Sequence, residues 1–245
     1  GVQTCALPIS GELTVAASGQ VGGGFNDNLL LTPNTVDNTW NALVDFGLHT
    51  KYKAETFSAT FDPRVTLSRY KVRNDLNHTD KFLKFELTNT HELSDQTLTL
   101  TATEDTTLMS ELGLTGLTSA NKKHRTGSAN YEIKKYFSEH IETSVQLYGT
   151  DNRYLDAART QLLNYQYGQA TLVTNYRYDY RTRLFVQGTA GKYLVPDQIN
   201  LRSGIDYNKK NFSALLGINR QLNEKWSLSA SVGPSQIRTS QSIDR

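Results

Sequence analysis

The stretch FSATFDPRVTLS, Phe57 to Ser68, alternates without a break. Phe57, Ala59, Phe61, Pro63, Val65 and Leu67 fall on one side, and Ser58, Thr60, Asp62, Arg64, Thr66 and Ser68 on the other. Only an extended strand sends successive side chains to opposite faces, so the two faces of this segment meet different solvents. The same period recurs along the chain. Trp40, Ala42, Val44, Phe46 and Leu48 oppose Asn41, Asp45, Gly47 and His49, with Leu43 as the exception; Leu83, Phe85 and Leu87 oppose Lys84, Glu86 and Thr88. Leu98, Leu100 and Ala102 oppose a column of threonines, Ala129, Tyr131 and Ile133 oppose Ser128, Asn130, Glu132 and Lys134, and Ile141, Val145 and Leu147 oppose Glu142, Ser144 and Gln146. Later strands are expected at Ala170–Tyr178, Leu184–Ala190, Phe212–Ile218 and Trp226–Val232. Charge is expected on one face throughout.

These segments are about ten residues long, the length of a tilted strand crossing a bilayer. Their connections alternate in length. Short turns are read near Tyr52–Glu55, His91–Gln96, Tyr136–His140, Tyr178–Arg183 and Leu222–Lys225. Long polar loops are read near Asn26–Asn38, Tyr70–Asp80, Asp105–Thr126, Asp151–Gln161 and Tyr193–Asn211. Short on one side and long on the other is the up-and-down barrel pattern. The expected fold is therefore all-β: an antiparallel up-and-down transmembrane β-barrel with eleven or twelve strands present, truncated at both ends. Leu201, Ser203, Ile205 and Tyr207 also alternate and are read as a β extension inside a long loop. Tyr70, Phe82, Tyr136, Phe137, Tyr148, Tyr154, Tyr165, Tyr176, Tyr178, Tyr193 and Trp226 gather near strand ends, where interfacial girdles are expected.

Composition agrees with this reading. Among 245 residues the hydrophobic fraction is 37%, and no uncharged apolar run approaches the ~20 residues of a membrane helix. Alternation hides a barrel from any average, because only every second residue meets lipid. Lys and Arg number 26 against 24 for Asp and Glu, scattered, so no basic stripe points to nucleic acid. The single cysteine, Cys5, lies in GVQTCALPIS, Gly1–Ser10, which resembles the translation of a common sequencing adapter. Residues 1–10 are set apart on that ground, and 11–245 are taken as one partial barrel domain.

Three segments carry a family resemblance. GFNDNLLLTP (Gly24–Pro33), EDTTLMSELGLTGL (Glu104–Leu117) followed by NKKHRT (Asn121–Thr126), and QLNEKWSLSASVG (Gln221–Gly233) resemble the outer-membrane β-barrel porins associated with exosortase and exopolysaccharide loci. Phe25 stands where that family usually has Tyr. The resemblance implies a Gram-negative outer-membrane location and a part in envelope export; it brings no catalytic motif.

Chemistry has little support in the residues. His49, His78, His91, His124 and His140 fall at different strand ends and loops, without HxxxH or HExxH spacing, so neither a metal nor a cofactor is expected. Asp27 beside Asn26 and Asn28 reads as turn chemistry. Gly22, Gly23 and Gly24 read as a bulge or sharp coil. A rim hydrolase would have to use Ser68, Asp75 and His78. The expected lumen-lining set is Asp45, Asp62, Arg64, Lys84, Glu86, Glu132, Lys134, Glu142 and Gln146, which carries both signs and lines a pore or braces a closed interior. The expectation is a passive channel or export barrel, not an enzyme, with lipid and small solutes or polysaccharide as partners. A structural or adhesive barrel with binding loops is the second reading. A soluble sandwich would instead pack the Phe57–Leu67 and Trp226–Val232 faces together.

Overall fold

In the computed structural model, residues 11–26, 39–72, 74–106, 123–155, 164–196 and 208–239 are described. They form twelve strands: β1 Glu12–Asn26, β2 Thr39–Lys53, β3 Phe57–Tyr70, β4 His78–His91, β5 Ser94–Thr106, β6 Lys123–Tyr136, β7 Ile141–Tyr154, β8 Tyr165–Arg177, β9 Thr182–Leu194, β10 Lys209–Gln221, β11 Ser227–Val232 and β12 Ser235–Thr239. One 3-10 turn, Asn74–Leu76, precedes β4. None of the helical structure is long and apolar enough to cross a membrane.

From β1 to β11 each strand pairs antiparallel with its sequence neighbour, in a single sheet. β12 also pairs with β10 and keeps the register of β11, so the two are one line of chain interrupted at Gly233 and Pro234. The all-β, up-and-down expectation thus holds, and eleven lines of strand match the expected number. Among the described residues the sheet is open: β1 pairs only with β2, and β11 and β12 only with β10.

All the short connections, at 54–56, 92–93, 137–140, 178–181 and 222–226, lie at one end of the sheet, and the longer ones at the other. Three of the short turns share a construction. Phe137 and Ser138 donate their amides to the Ile141 carbonyl, Tyr178 and Asp179 to that of Thr182, and Leu222 and Asn223 to that of Trp226. In each, the second residue's side chain accepts amides two and three positions on: Ser138 from His140 and Ile141, Asp179 from Arg181 and Thr182, Asn223 from Lys225 and Trp226. Short oxygen-bearing side chains that bond their own backbone are what tight turns select.

One local expectation changes. Gly22, Gly23 and Gly24 pair in unbroken register with Leu43, Ala42 and Asn41, so no bulge forms there. Pro63, with no N–H to donate, interrupts the β2–β3 ladder between Gly47 and Thr50, yet the register resumes unshifted at Thr50–Phe61. The strands are also longer than expected, at 13 to 15 residues from β1 to β10. The proposed β extension at 201–207 lies outside the described residues, as do Gly1–Ser10.

The burial of the two faces is inverted relative to a protein in water. Of the large hydrophobic side chains among the described residues, only Tyr70, Leu76 and Val195 are buried, while Val21 is 81% exposed, Val232 75% and Leu216 59%. Along β8, Gln166, Gly168, Ala170 and Leu172 are exposed, whereas Tyr165, Tyr167, Gln169 and Thr171 between them are half-buried. No second layer covers either face among the described residues, so the polar side is sheltered by the sheet curling towards it. A soluble sandwich is excluded for these residues: Phe61 is 42% exposed and Trp226 69%, on faces that pack on nothing.

Candidate functional site: the sheltered polar face

Register alone assigns each polar side chain to a face, because directly paired residues share one. Asp45 pairs with Thr66, Asp62 with Lys84, Glu86 with Thr99, Glu132 with Thr97 and Gln146, Lys134 with Asp95 and Ser144, and Glu142 with Asn175. All nine candidate lumen residues lie on the sheltered face, and the strands group them into separate clusters.

The first cluster centres on Asp45, 9% exposed. Arg64 Nε donates to both of its carboxylate oxygens at 3.0 and 2.8 Å, and Thr66 Oγ1 donates to Oδ2 at 2.6 Å. Beside it His49 pairs with Asp62. Lys84 Nζ lies 2.8 Å from Glu86, two residues along the same strand. The second cluster lies nearer the short turns, where Tyr136 donates to Asp95 at 2.7 Å, Asn175 to Glu142 at 3.1 Å, and Arg183 pairs with Glu142 at 3.4 Å. Between the clusters the polar face is neutral. Thr101 bonds Ser128 at 2.6 Å and Gln146 donates to Asn130 at 2.9 Å. The face therefore carries charged clusters set apart by hydroxyls and amides, with a further one, Asp105 against His124, at the long-loop end.

Two of the rim-hydrolase candidates come together, away from an outer rim. Ser68 and His78 are direct partners across β3 and β4, but both are buried on the sheltered face, not at the outer rim such an enzyme would need. His78 Nδ1 lies 2.7 Å from the Leu76 carbonyl, and its other nitrogen is 3.5 Å from Asp80. The side chain of Asp75 lies outside the described residues. Asp105 pairs with His124, whose ring stacks on Tyr154 with centroids 5.7 Å apart. Among the described residues no group of three or more His, Cys, Asp or Glu is placed to hold a metal ion.

Two sequence expectations about the faces need correction. Tyr70, Phe82, Tyr136, Tyr148, Tyr154, Tyr165 and Tyr193 share register with the polar face; Tyr165 and Tyr193 stack there at 5.3 Å. The exposed aromatics include Phe137, Tyr176, Tyr178 and Trp226 at the short-turn end, and Phe25 and Trp40 at the other. Nor is charge confined to one face. Lys81, Glu104, Arg125, Asp151, Arg153, Lys192, Lys210 and Arg238 occupy apolar-face positions at the long-loop end, because the strands run on past the apolar band into water. Their place near strand ends, beyond the last aliphatic residue of the face, was the available signal.

An up-and-down antiparallel sheet, apolar where exposed and polar where sheltered, belongs to the class of outer-membrane-type β-barrel proteins. No protein-family model matches the chain, and no curated protein matches it. Two solved structures of OmpT, an outer-membrane protein of Vibrio cholerae, resemble it in chain path. The protein expressed in the outer membrane gives a TM-score of 0.47 at 7% identity, and the form folded in vitro 0.45 at 8%. Each alignment covers 94% of this chain and 88% of the other.

Proposed function

We propose that this chain forms the wall of a passive channel in the outer membrane of a Gram-negative bacterium. The observation that supports it is the inverted burial: aliphatic side chains from β1 to β11 are exposed as a band, while Asp45, Ser68 and His78 opposite them are below a tenth exposed. Water would expel that band, whereas hydrocarbon accepts it. The sheltered side, with its charged zones, offers small hydrophilic solutes a polar surface. The resemblance to exosortase-associated porins points to export of envelope polysaccharide as the setting. In this reading the chain is not an enzyme.

Conductance tests the channel. The folded chain is added to a planar phosphatidylcholine bilayer, and discrete steps are expected whose cation preference falls in Asp45→Asn. A barrel that inserts and stays electrically silent overturns the channel and leaves a sealed structural wall.

A further inference from the structure

We propose that the long-loop end of the outer face seats a lipid with a phosphate-bearing headgroup, held by Lys192, Lys210 and Arg238. The inference rests on the membrane reading above and names one partner within it. Lys192 pairs directly with Lys210, and Lys210 directly with Arg238, so three cations stand side by side across β9, β10 and β12. All three are exposed. Like charges in directly paired positions repel, and none of their cross-strand partners is a carboxylate; on the β8 side Lys192 meets Gly168.

The rest of this rim is built differently. Glu104 sits between Lys81 and Arg125, at 3.1 and 2.6 Å, and Asp151 holds Arg153 at 2.7 Å. Those cations carry their counter-charge within the chain, whereas the trio has none among the described residues.

The surface below the trio selects the source of that anion. Ala190 and Phe212 lie two residues inward of Lys192 and Lys210, roughly 7 Å along the strand. They help to line a groove of about 570 Å³ with Ala170, Gly188 and Ala214. An apolar groove running inward from a row of cations matches an amphiphile: acyl chain against the groove, phosphate at the cations. A free anion would gain nothing from the groove.

The experiment uses the full chain, first refolded into phosphatidylcholine vesicles and then transferred to detergent, with diphosphoryl lipid A as probe and native mass spectrometry counting adducts. Wild type is expected to hold the probe at low micromolar concentration. Each cation near a phosphate-bearing surface contributes roughly fivefold, so K192Q/K210Q/R238Q should weaken binding on the order of a hundredfold. Gly188→Leu tests the groove with the cations intact, and a Cβ there meets nothing within 4 Å, so the sheet should tolerate it; it too should lose adducts. Equal adducts in wild type and the triple variant, or displacement of the probe by equimolar inorganic phosphate, would overturn the inference while membrane insertion still stands. A chain that stays dissolved without vesicles or detergent overturns both readings at the first step.

Discussion

Asp45 shows what a single residue does on the sheltered face. Its carboxylate gathers Arg64 and Thr66, three hydrogen bonds in all, and removing it strands the guanidinium beside an uncompensated hydroxyl. Asp45→Ala should therefore lower the melting temperature more than Arg64→Gln, and the double variant should recover part of the loss. A double-mutant cycle by circular dichroism reads this directly, and strict additivity would show that the pair is not coupled. Asp179 makes a second case, in the turn between β8 and β9. The amide of Arg181 chiefly, with that of Thr182, holds its carboxyl below the ordinary value. A group whose value is lowered on folding stabilises the fold above its unfolded value, about 3.9, and that contribution disappears as pH falls through the lower folded value. Asn223 builds the same turn without a titrating group. Asp179→Asn should thus fold like wild type and abolish the part of the acid destabilisation that begins below about pH 4. Parallel pH-melting curves for the two proteins would refute this.

At the scale of one strand, the deciding property is which face a side chain occupies. Leu216 on β10 is 59% exposed, and its partner Val186 on β9 is 56% exposed. In water, replacing so exposed a leucine with arginine would cost little. In hydrocarbon the same Leu216→Arg change should cost roughly 2–4 kcal/mol, while Gln187→Arg, one residue from Val186 and on the sheltered face, should cost far less. Urea unfolding from vesicles measures both, and equal values would argue against lipid on the outer side. The period-two pattern made this face assignment readable from residues such as Phe57 to Ser68, so the face of every candidate site residue was legible. Its partners were not. That Asp45 takes Arg64 while Asp62 takes His49 depends on register, which sequence alternation fixes only to the nearest two residues. Strand ends were illegible for a related reason. Beyond the apolar band both faces meet water, so alternation stops although the hydrogen-bonded ladder continues to Tyr154 and Leu194. The same loss of contrast put Tyr148 and Tyr165 in an expected outer girdle, when register turns both to the sheltered side.

Over the whole molecule the two ends of the outer face differ, aromatic with Lys135 and Arg220 at the short turns and more densely charged, mostly basic, at the long connections, and this polarity bears on how the sheet should cross a bilayer. Carrying long polar connections through hydrocarbon costs more than carrying five short turns, since their backbone groups would have no partners there. Insertion from outside a vesicle should therefore lead with the short turns. The chain has two tryptophans, and they mark the two ends. Trp40, 60% exposed and packed on Phe25 at 5.2 Å, stands at the start of β2 beside the long connection. Trp226, 69% exposed, closes the short turn before β11. Trp226→Phe and Trp40→Phe leave one reporter at each end. Both remaining tryptophans should be quenched more by lipids brominated near the headgroup than by lipids brominated near the acyl terminus. Iodide confined outside the vesicles should quench Trp40 and spare Trp226. Equal iodide quenching of both would mean that the chain inserts in either direction or lies on the surface, and quenching without depth dependence would remove the sheet from the bilayer altogether.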